Sequence, residues 1–425
     1  MKKKALTFFL CLSFISCTGG GNGTSGVDTS ATGIGAGFDT DVNTTDGSIQ
    51  TGGNIIDSIP TGGTDGTITG DDGVDFVNST IVVGAPATNA LSVVQSNIPF
   101  SNSNLLLLEL SLSTATAFQV VLQDTSNAIA TLLLLDPNGN EIVALSEQGD
   151  FTTTALFPTT RINTLNYQTN DEDPNVFSGT YTHAAFIDGN TNGSITATVL
   201  AKNDLSFSSG TVPVNLFFVG ELAQNDSIAI QAAMDETRSI FDQIGLSINL
   251  SLFNVPSSNG ELPCPISGSN FYANQGFVST SNTTALNIYV GDFVSNSGLC
   301  SSLGPVLGVA SAIPGPAILT DFSAVAISLS LHQGVNGVLD GSEIELLGET
   351  IAHEAGHFLG LFHPVEINFT DFDPLNDTEQ CTSNASCVSS DLVNNLMFPF
   401  PVSGVAQRNL TNDQSGVLHR NVLVN

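Results

Sequence analysis

The chain has 425 residues, of which 41% are hydrophobic, enough to bury two sizeable cores. Forty acidic residues face eight basic ones, a net charge of −32. Nucleic acids and anionic lipid surfaces are therefore poor partners, whereas the surplus carboxylates favour solubility and offer oxygen ligands to Ca²⁺.

Lys2, Lys3 and Lys4, the Leu- and Phe-rich run Ala5 to Ser16, and then Cys17 have the form of a secretory signal peptide over 1–17. The apolar run is too short to span a bilayer as a mature helix. Cys17, preceded by Phe14-Ile15-Ser16, resembles the lipidated cysteine of bacterial lipoproteins, and Thr18 after it resembles the outer-membrane-sorted pattern. The resemblance implies an exported chain, lipid-anchored at Cys17 to the outer membrane or cell surface, or released from it. Ordinary cleavage, with Cys17 left free or removed, is the alternative. Residues 18–75 are Gly, Thr, Ser, Asn and Asp with isolated apolar positions. They cannot bury enough surface to offset ordering entropy and form an acidic linker.

From 76 to 208 the composition changes to β-branched and Leu-rich runs. Ile98–Phe100, Leu105–Leu112, Ala117–Leu122, Ala130–Leu135, Glu141–Leu145, Thr180–Ile187 and Ser194–Leu200 predict strands. Asp136-Pro137-Asn138-Gly139 and Asp188-Gly189-Asn190-Thr191-Asn192-Gly193 supply turns, the second as a plain hairpin because Val199, at the twelfth position of an EF-hand loop, cannot ligate. An all-β sandwich follows. Leu134 to Asn140 and Ser178 to Tyr181 resemble the prepeptidase-type modules of secreted bacterial proteases. His183, with no partner in sequence, is expected to be structural.

The second domain, 209–425, opens with a strand at Val212–Val219 and a helix over about 226–244, capped by Asn225 or Asp226 and ended by Gly245. Leu246, Ile248, Leu250 and Leu252 alternate as a half-buried strand. Strands at Leu286–Val290 and Val306–Ile313 come next, the latter closed by Pro314-Gly315-Pro316. Ser342 and Glu345 predict a capping box for a further helix, whose core face carries Ile344, Leu347, Ile351, Ala355 and Phe358. Cys264, Cys300, Cys381 and Cys387 remain once Cys11 and Cys17 are set aside. An even number in an exported chain predicts disulfides, paired by proximity as Cys264–Cys300 and Cys381–Cys387; no C-x-x-C spacing supports a metal site.

That helix carries His353-Glu354-Ala355-Gly356-His357 and runs on to Gly360 and His363. His353 and His357, four apart, share one helical face and suit two nitrogen ligands of one Zn²⁺, with Glu354 as general base. On a continuing helix His363 would lie about 240° round the axis and roughly 9 Å along it, out of reach. A positive φ at Gly360 would end the helix and return His363 to the metal. Three histidines leave the fourth position open, as catalytic zinc sites do.

The extended motif resembles that of the metzincin metalloproteases, and Asn394-Asn395-Leu396-Met397-Phe398-Pro399 resembles their Met-turn. The likeness covers about residues 211–422 and is nearest the pappalysin-like family. Leu286 to Val290, Leu307 to Pro314 and Leu410 to Gln414 resemble that family's strand pair and closing segment. Leu-Met-Phe-Pro also resembles the matrixin turn. The resemblance implies an α+β zincin domain with a mixed sheet and active-site helix, acting as a zinc endopeptidase on protein or peptide substrates. It further implies a substrate-binding edge strand at Gly308, Val309, Ala310 and Ser311, and Met397 as packing beneath the zinc ligands. Asp371, Asp373 and Asp377, with Glu379, are implied as a Ca²⁺ loop, the alternative being a solvated acidic loop. Pro399 stands where pappalysin-like enzymes carry Tyr, which puts a tyrosine assisting the oxyanion in question. Two other functions fit the residues: a surface adhesin or scaffold with a vestigial metal site, and a zinc amidase of a non-peptide substrate.

Overall fold

Alternating Leu, Ile and Val residues build the first part of the molecule as paired sheets. The computed structural model describes residues 76–86, 91–101, 103–144, 153–154, 162–168, 177–188, 192–204, 208–257, 259–275 and 284–425. The leader, Cys17 and the 18–75 stretch lie outside the described residues. The strands are β1 (Phe76–Val83), β2 (Leu91–Ser101), β3 (Leu105–Ala115), β4 (Ala117–Gln123), β5 (Ala128–Leu135), β6 (Glu141–Ala144), β7 (Thr153–Thr154), β8 (Ile162–Gln168), β9 (Phe177–Asp188) and β10 (Asn192–Lys202). They form two five-stranded sheets, ordered β1-β3-β9-β5-β6 and β2-β10-β4-β8-β7. Leu106, Leu108, Leu110 and Leu112 of β3 enter one core with Phe118, Val120 and Leu122 of β4 and Ile195, Ala197 and Val199 of β10. That core is therefore built by alternate residues of both sheets.

Two expectations change here. β9 and β10 belong to different sheets, so the two strands do not pair as the expected hairpin. β8 was not expected, because Ile162-Asn163-Thr164-Leu165-Asn166-Tyr167-Gln168 looks polar. Its Asn163 is met from the other sheet: Thr131 Oγ1 donates to Asn163 Oδ1 at 2.7 Å and lies 2.8 Å from His183 Nε2. Burial pushes the His183 pKa down to about 4, so it is a neutral core histidine.

The second part contains β11 (Gly210–Val219), α1 (Gly220–Asn225), α2 (Ser227–Asp242), β12 (Leu246–Val255), β13 (Glu261–Leu262), α3 (Asn270–Gln275), β14 (Leu286–Gly291), β15 (Phe293–Val294), β16 (Gly308–Ala310), β17 (Val325–Ser328), α4 (Leu329–His332), α5 (Gly341–Phe358), α6 (Asn384–Ser389) and α7 (Asn412–Arg420). Its main sheet runs β12-β11-β14-β17-β16, parallel except for β16. β11 is buried on both faces, which explains its unbroken apolar run. Val214, Leu216 and Phe218 pack with Met234 and Phe241 of α2 and Leu347, Ile351 and Ala355 of α5. Phe217 and Val219 face the other way, toward Tyr272, Tyr289 and the Cys264–Cys300 disulfide. No helix among the described residues is long and apolar enough to cross a membrane.

The two parts are joined by polar groups as well as by apolar contact. Ala117, Val121, Ile162 and Leu200 belong to the same buried cluster as β11, α2 and α5. The Gln119 side chain donates to Gly315 O at 3.2 Å and accepts from Ala317 N at 2.8 Å. Lys202, 2% exposed, donates to His419 O at 2.7 Å and Val424 O at 2.6 Å, with Asp204 Oδ2 3.8 Å away. The ammonium thus satisfies carbonyls at and beyond the end of α7. Lys202→Met should leave these acceptors buried and unpaired, lowering stability by about 2–4 kcal/mol in chemical denaturation; a loss below about 0.5 kcal/mol would show that the junction does not depend on the ammonium.

Candidate metal centre

Helix α5 is fixed at both ends. Its start lies two residues before the expected box: Asp340, not Ser342, is the N-cap, accepting from Ser342 N at 3.2 Å and Glu343 N at 3.4 Å, while Glu343 Oε2 accepts from Asp340 N at 2.9 Å. At the other end Gly360 adopts φ 115°, and Leu361 N returns to Gly356 O at 2.9 Å. Between them, Gly348 lies against the α2 backbone: a Cβ there would stand 2.6 Å from Ala233 O. Gly356 makes room in the same way for Met397, whose Sδ would be 2.6 Å from an added Cβ.

The turn brings three imidazoles together. The Nε2 atoms of His353 and His357 are 3.0 Å apart, those of His357 and His363 3.1 Å, and those of His353 and His363 3.3 Å. Each Nδ1 has an acceptor: Leu396 O at 2.7 Å for His353, Leu361 O at 2.7 Å for His357, and Glu366 Oε2 at 3.0 Å for His363. Carbonyls and a carboxylate can only accept from Nδ1–H, so in the neutral rings all three Nε2 atoms carry lone pairs. Burial, reinforced by the neighbouring histidines, holds the His353 pKa down at about 3 and that of His357 well below the usual histidine range. Three lone pairs this close repel one another unless a cation lies between them. The spacing suits zinc, since tetrahedral Zn–N bonds of about 2.0–2.1 Å separate nitrogens by about 3.3 Å. Among the described residues this is the only group of three or more His, Cys, Asp or Glu whose ligand atoms converge.

Glu366 was not foreseen in the sequence, although an acid three residues after the last histidine is the available signal. A carboxylate behind a ligand histidine fixes its tautomer and raises its basicity.

Glu354 is wholly buried, and neither carboxylate oxygen closes a hydrogen bond within the described structure. Burial pushes its pKa well above the carboxylic-acid range; the Ala310 N–H, near the carboxylate but outside hydrogen-bond geometry, opposes this. Its position depends on Gly308, where a Cβ would stand 2.7 Å from Glu354 Cγ and 3.0 Å from both Ile327 Cδ1 and Thr350 Cγ2.

The segment carrying Gly308 departs from expectation. Only Gly308–Ala310 pairs as a strand, outermost in the sheet, but 306–317 are buried throughout rather than forming an exposed rim. Leu307 O accepts from Ser328 N and Ser311 N donates to Ala324 O, so alternation turns the backbone groups of Gly308 and Ala310 away from β17. Val309 packs into the aromatic core, and Ser311 Oγ donates to Phe322 O. Of Gly308, Val309, Ala310 and Ser311, two therefore present backbone toward the Glu354 side and two are structural.

Other expected residues separate from the site. Met397 is buried beneath α5 and ligates nothing. The four tyrosines, Tyr167, Tyr181, Tyr272 and Tyr289, all pack in aromatic clusters, so no tyrosine occupies the place left by Pro399. Asp371, Asp373 and Asp377 do not form a group of three close ligand atoms among the described residues. Asp371 Oδ2 accepts from Asn368 and Asp377 Oδ2 from Asp413 N. Asp373 turns inward, its Oδ1 accepting from Thr378 Oγ1 and Leu375 N while Oδ2 is buried without a partner. Cys264 is bonded to Cys300, and Cys381 to Cys387.

No family model matches the chain, and no curated protein does. Among solved structures 86 chains match. Metalloproteinase-II from Bacteroides fragilis is similar at a TM-score of 0.29 and 15% identity, over 52% of this chain and 62% of that one. Archaemetzincin from Methanopyrus kandleri gives 0.30 and 14%, over 51% and 96%. A chaperone–substrate complex gives 0.27 and 10%, over 82% and 46%. The chain thus spans less than two thirds of the first of these. Likeness at such scores carries no argument, and the site rests on its own geometry.

Gly308→Ala should displace Glu354 while leaving the histidines in place; zinc content near one per chain with altered protection of the α5 amides in hydrogen exchange is the expected pair of results. Asp373 provides a pH test. Burial, with Asp377 and Asp413 nearby, raises its pKa from the model-compound 3.8 to about 7. The folded state then binds more protons than the unfolded between about pH 4 and 7, so this residue's contribution to stability falls as pH rises through that window. Asp373→Asn should stabilise the protein by roughly 1–4 kcal/mol at pH 7–8 and by almost nothing near pH 4, measured by denaturation in chelator.

Proposed function

We propose that the protein is a zinc-dependent endopeptidase. The observation that carries this reading is the convergence of three Nε2 lone pairs beside a buried carboxylate with no bonded partner. His353, His357 and His363 would hold the ion. Bound there, zinc supplies Lewis acidity, polarising a substrate carbonyl and making a water molecule more acidic. Glu354 accepts the proton of the attacking water and returns it to the leaving amine. Its unpaired oxygens and buried setting favour proton uptake. Glu366 keeps His363 in the ligating tautomer, and the Leu396 and Leu361 carbonyls do the same for His353 and His357. The outward backbone of Gly308 and Ala310 is suited to pair with an extended peptide as an added strand. No tyrosine is at hand to assist the oxyanion, since all four pack in aromatic clusters.

The finer assignments belong to the same reading: a metzincin, nearest the pappalysin-like family, with 76–208 as an accessory β-sandwich. In the same reading the chain is exported and anchored at Cys17 to the bacterial outer membrane or cell surface, or released from it. Zinc is the one cofactor proposed. One observation favours a second reading, since the burial of 306–317 suits a zinc amidase acting on a non-peptide substrate without strand addition.

Glu354→Gln should retain one zinc per chain and lose about 10²–10⁴-fold in hydrolysis of a denatured-protein substrate, while His363→Ala should lose the metal. Wild-type turnover by Glu354→Gln rejects the mechanism. A zinc-loaded wild-type chain that cleaves N-acyl amides but no peptide bond selects the amidase.

A further inference from the structure

Between the two five-stranded sheets of the first part, three polar side chains occupy positions that strand alternation gives to the core. On β5 Thr131 follows Ile129 inward, on β9 His183 lies between Tyr181 and Ala185, and on β8 Asn163 shares a face with Leu165 and Tyr167. None of the three is more than 2% exposed. The β5–β9 ladder slips register between Thr131 and Leu133, an irregularity of the kind that re-aims a side chain. The three groups meet at one atom: Thr131 Oγ1 is 2.7 Å from Asn163 Oδ1 and 2.8 Å from His183 Nε2. Asn163 Nδ2 and His183 Nδ1 are buried and make no hydrogen bond among the described residues. A trio built only for packing would leave that desolvation penalty standing.

The hydroxyl thus has an imidazole nitrogen on one side and an amide carbonyl on the other, the set of groups that hydroxyl-based acyl transfer requires. Burial keeps His183 neutral, so with the ring proton on Nδ1 the Nε2 lone pair faces the hydroxyl. We infer that Thr131 and Asn163 join in an intramolecular ester that ties the two sheets together, with His183 carrying the proton. Thr131 Oγ1 bonds to Asn163 Cγ while His183 Nε2 takes the hydroxyl proton. The imidazolium returns that proton to the amide nitrogen, the Cγ–Nδ2 bond breaks, and ammonia leaves. The step consumes no oxidant, metal or water. The nitrogen expelled is the one without a partner, so the product no longer buries a bare donor, and the dry core shields the ester from hydrolysis. One turnover per chain is enough, which a weakly activated base can supply. Neither zinc nor the peptidase reading enters this step.

The test is peptide mapping by mass spectrometry of the full-length, disulfide-reduced protein, held at neutral pH until its mass is constant. Digestion by a Glu- and Asp-directed protease, which has sites between the two residues at Asp136, Glu141, Glu147 and Asp150, should yield one species joining the Thr131 and Asn163 peptides. Its mass should fall short of their sum by one ammonia, and hydroxylamine, which cleaves esters, should separate it. Thr131→Val and His183→Gln should give the two peptides apart at their full masses. Separate, unmodified peptides from the wild type overturn the proposal, whether or not either variant folds. So does an ammonia loss confined to the Asn163 peptide and persisting in Thr131→Val, which marks a succinimide closed on the backbone. A joined species in His183→Gln at the wild-type yield overturns the histidine's part.

Discussion

The metal centre depends on where three ring protons go. Two backbone carbonyls and one carboxylate bind the Nδ1–H groups of His353, His357 and His363, which forces every Nε2 lone pair to the same point in a buried setting. The arrangement is electrostatically unfavourable alone and favourable around a cation. The neighbouring structure maintains it. Gly360 lets Leu361 return to supply the carbonyl for His357, and the segment holding Leu396 is secured under α5 by Met397 filling the space left by Gly356.

The same segment is tied down electrostatically. Arg408 N donates to Asn394 O, while its guanidinium spans Glu236 on α2 and Glu345 and Glu349 on α5. In a chain with eight basic residues against forty acidic ones, this is a considered placement of scarce positive charge. Lys202 and Arg420 are each 2% exposed at the junction between the two parts, and Arg238 is paired with Asp235. The cations described therefore hold structure together rather than form a basic surface.

The junction also connects the first part to the neighbourhood of the metal centre. Gln119 holds the backbone at Gly315 and Ala317, and Gly315 N donates to Phe358 O at the last residue of α5. A Cβ at Gly315 would stand 2.1 Å from the Phe358 ring. The β-rich part thus reaches the helix that carries the histidines through two successive hydrogen-bonded contacts, and a shared apolar cluster runs alongside.

Local chemistry was legible in the sequence. Histidine spacing, the glycine at 360, the apolar face of α5 and the runs that became β3, β4 and β11 follow from helix and strand periodicity, which each short segment carries by itself. The capping box shifted by two residues because Asp340 and Ser342 offer equivalent side-chain oxygens, and only the observed backbone distinguishes them. Properties that require two distant segments were decided by the tertiary structure. β8 hides behind polar residues, one of which, Asn163, finds its partner Thr131 in the opposite sheet. The strand expected at Val306–Ile313 as a substrate-binding edge is buried. Asp371, Asp373 and Asp377 are close in sequence, yet each carboxylate takes different hydrogen-bond donors, Asn368, Thr378 and Asp413 N, which only the folded chain supplies. Periodicity specifies which residues share a face; what covers that face depends on packing across the whole chain.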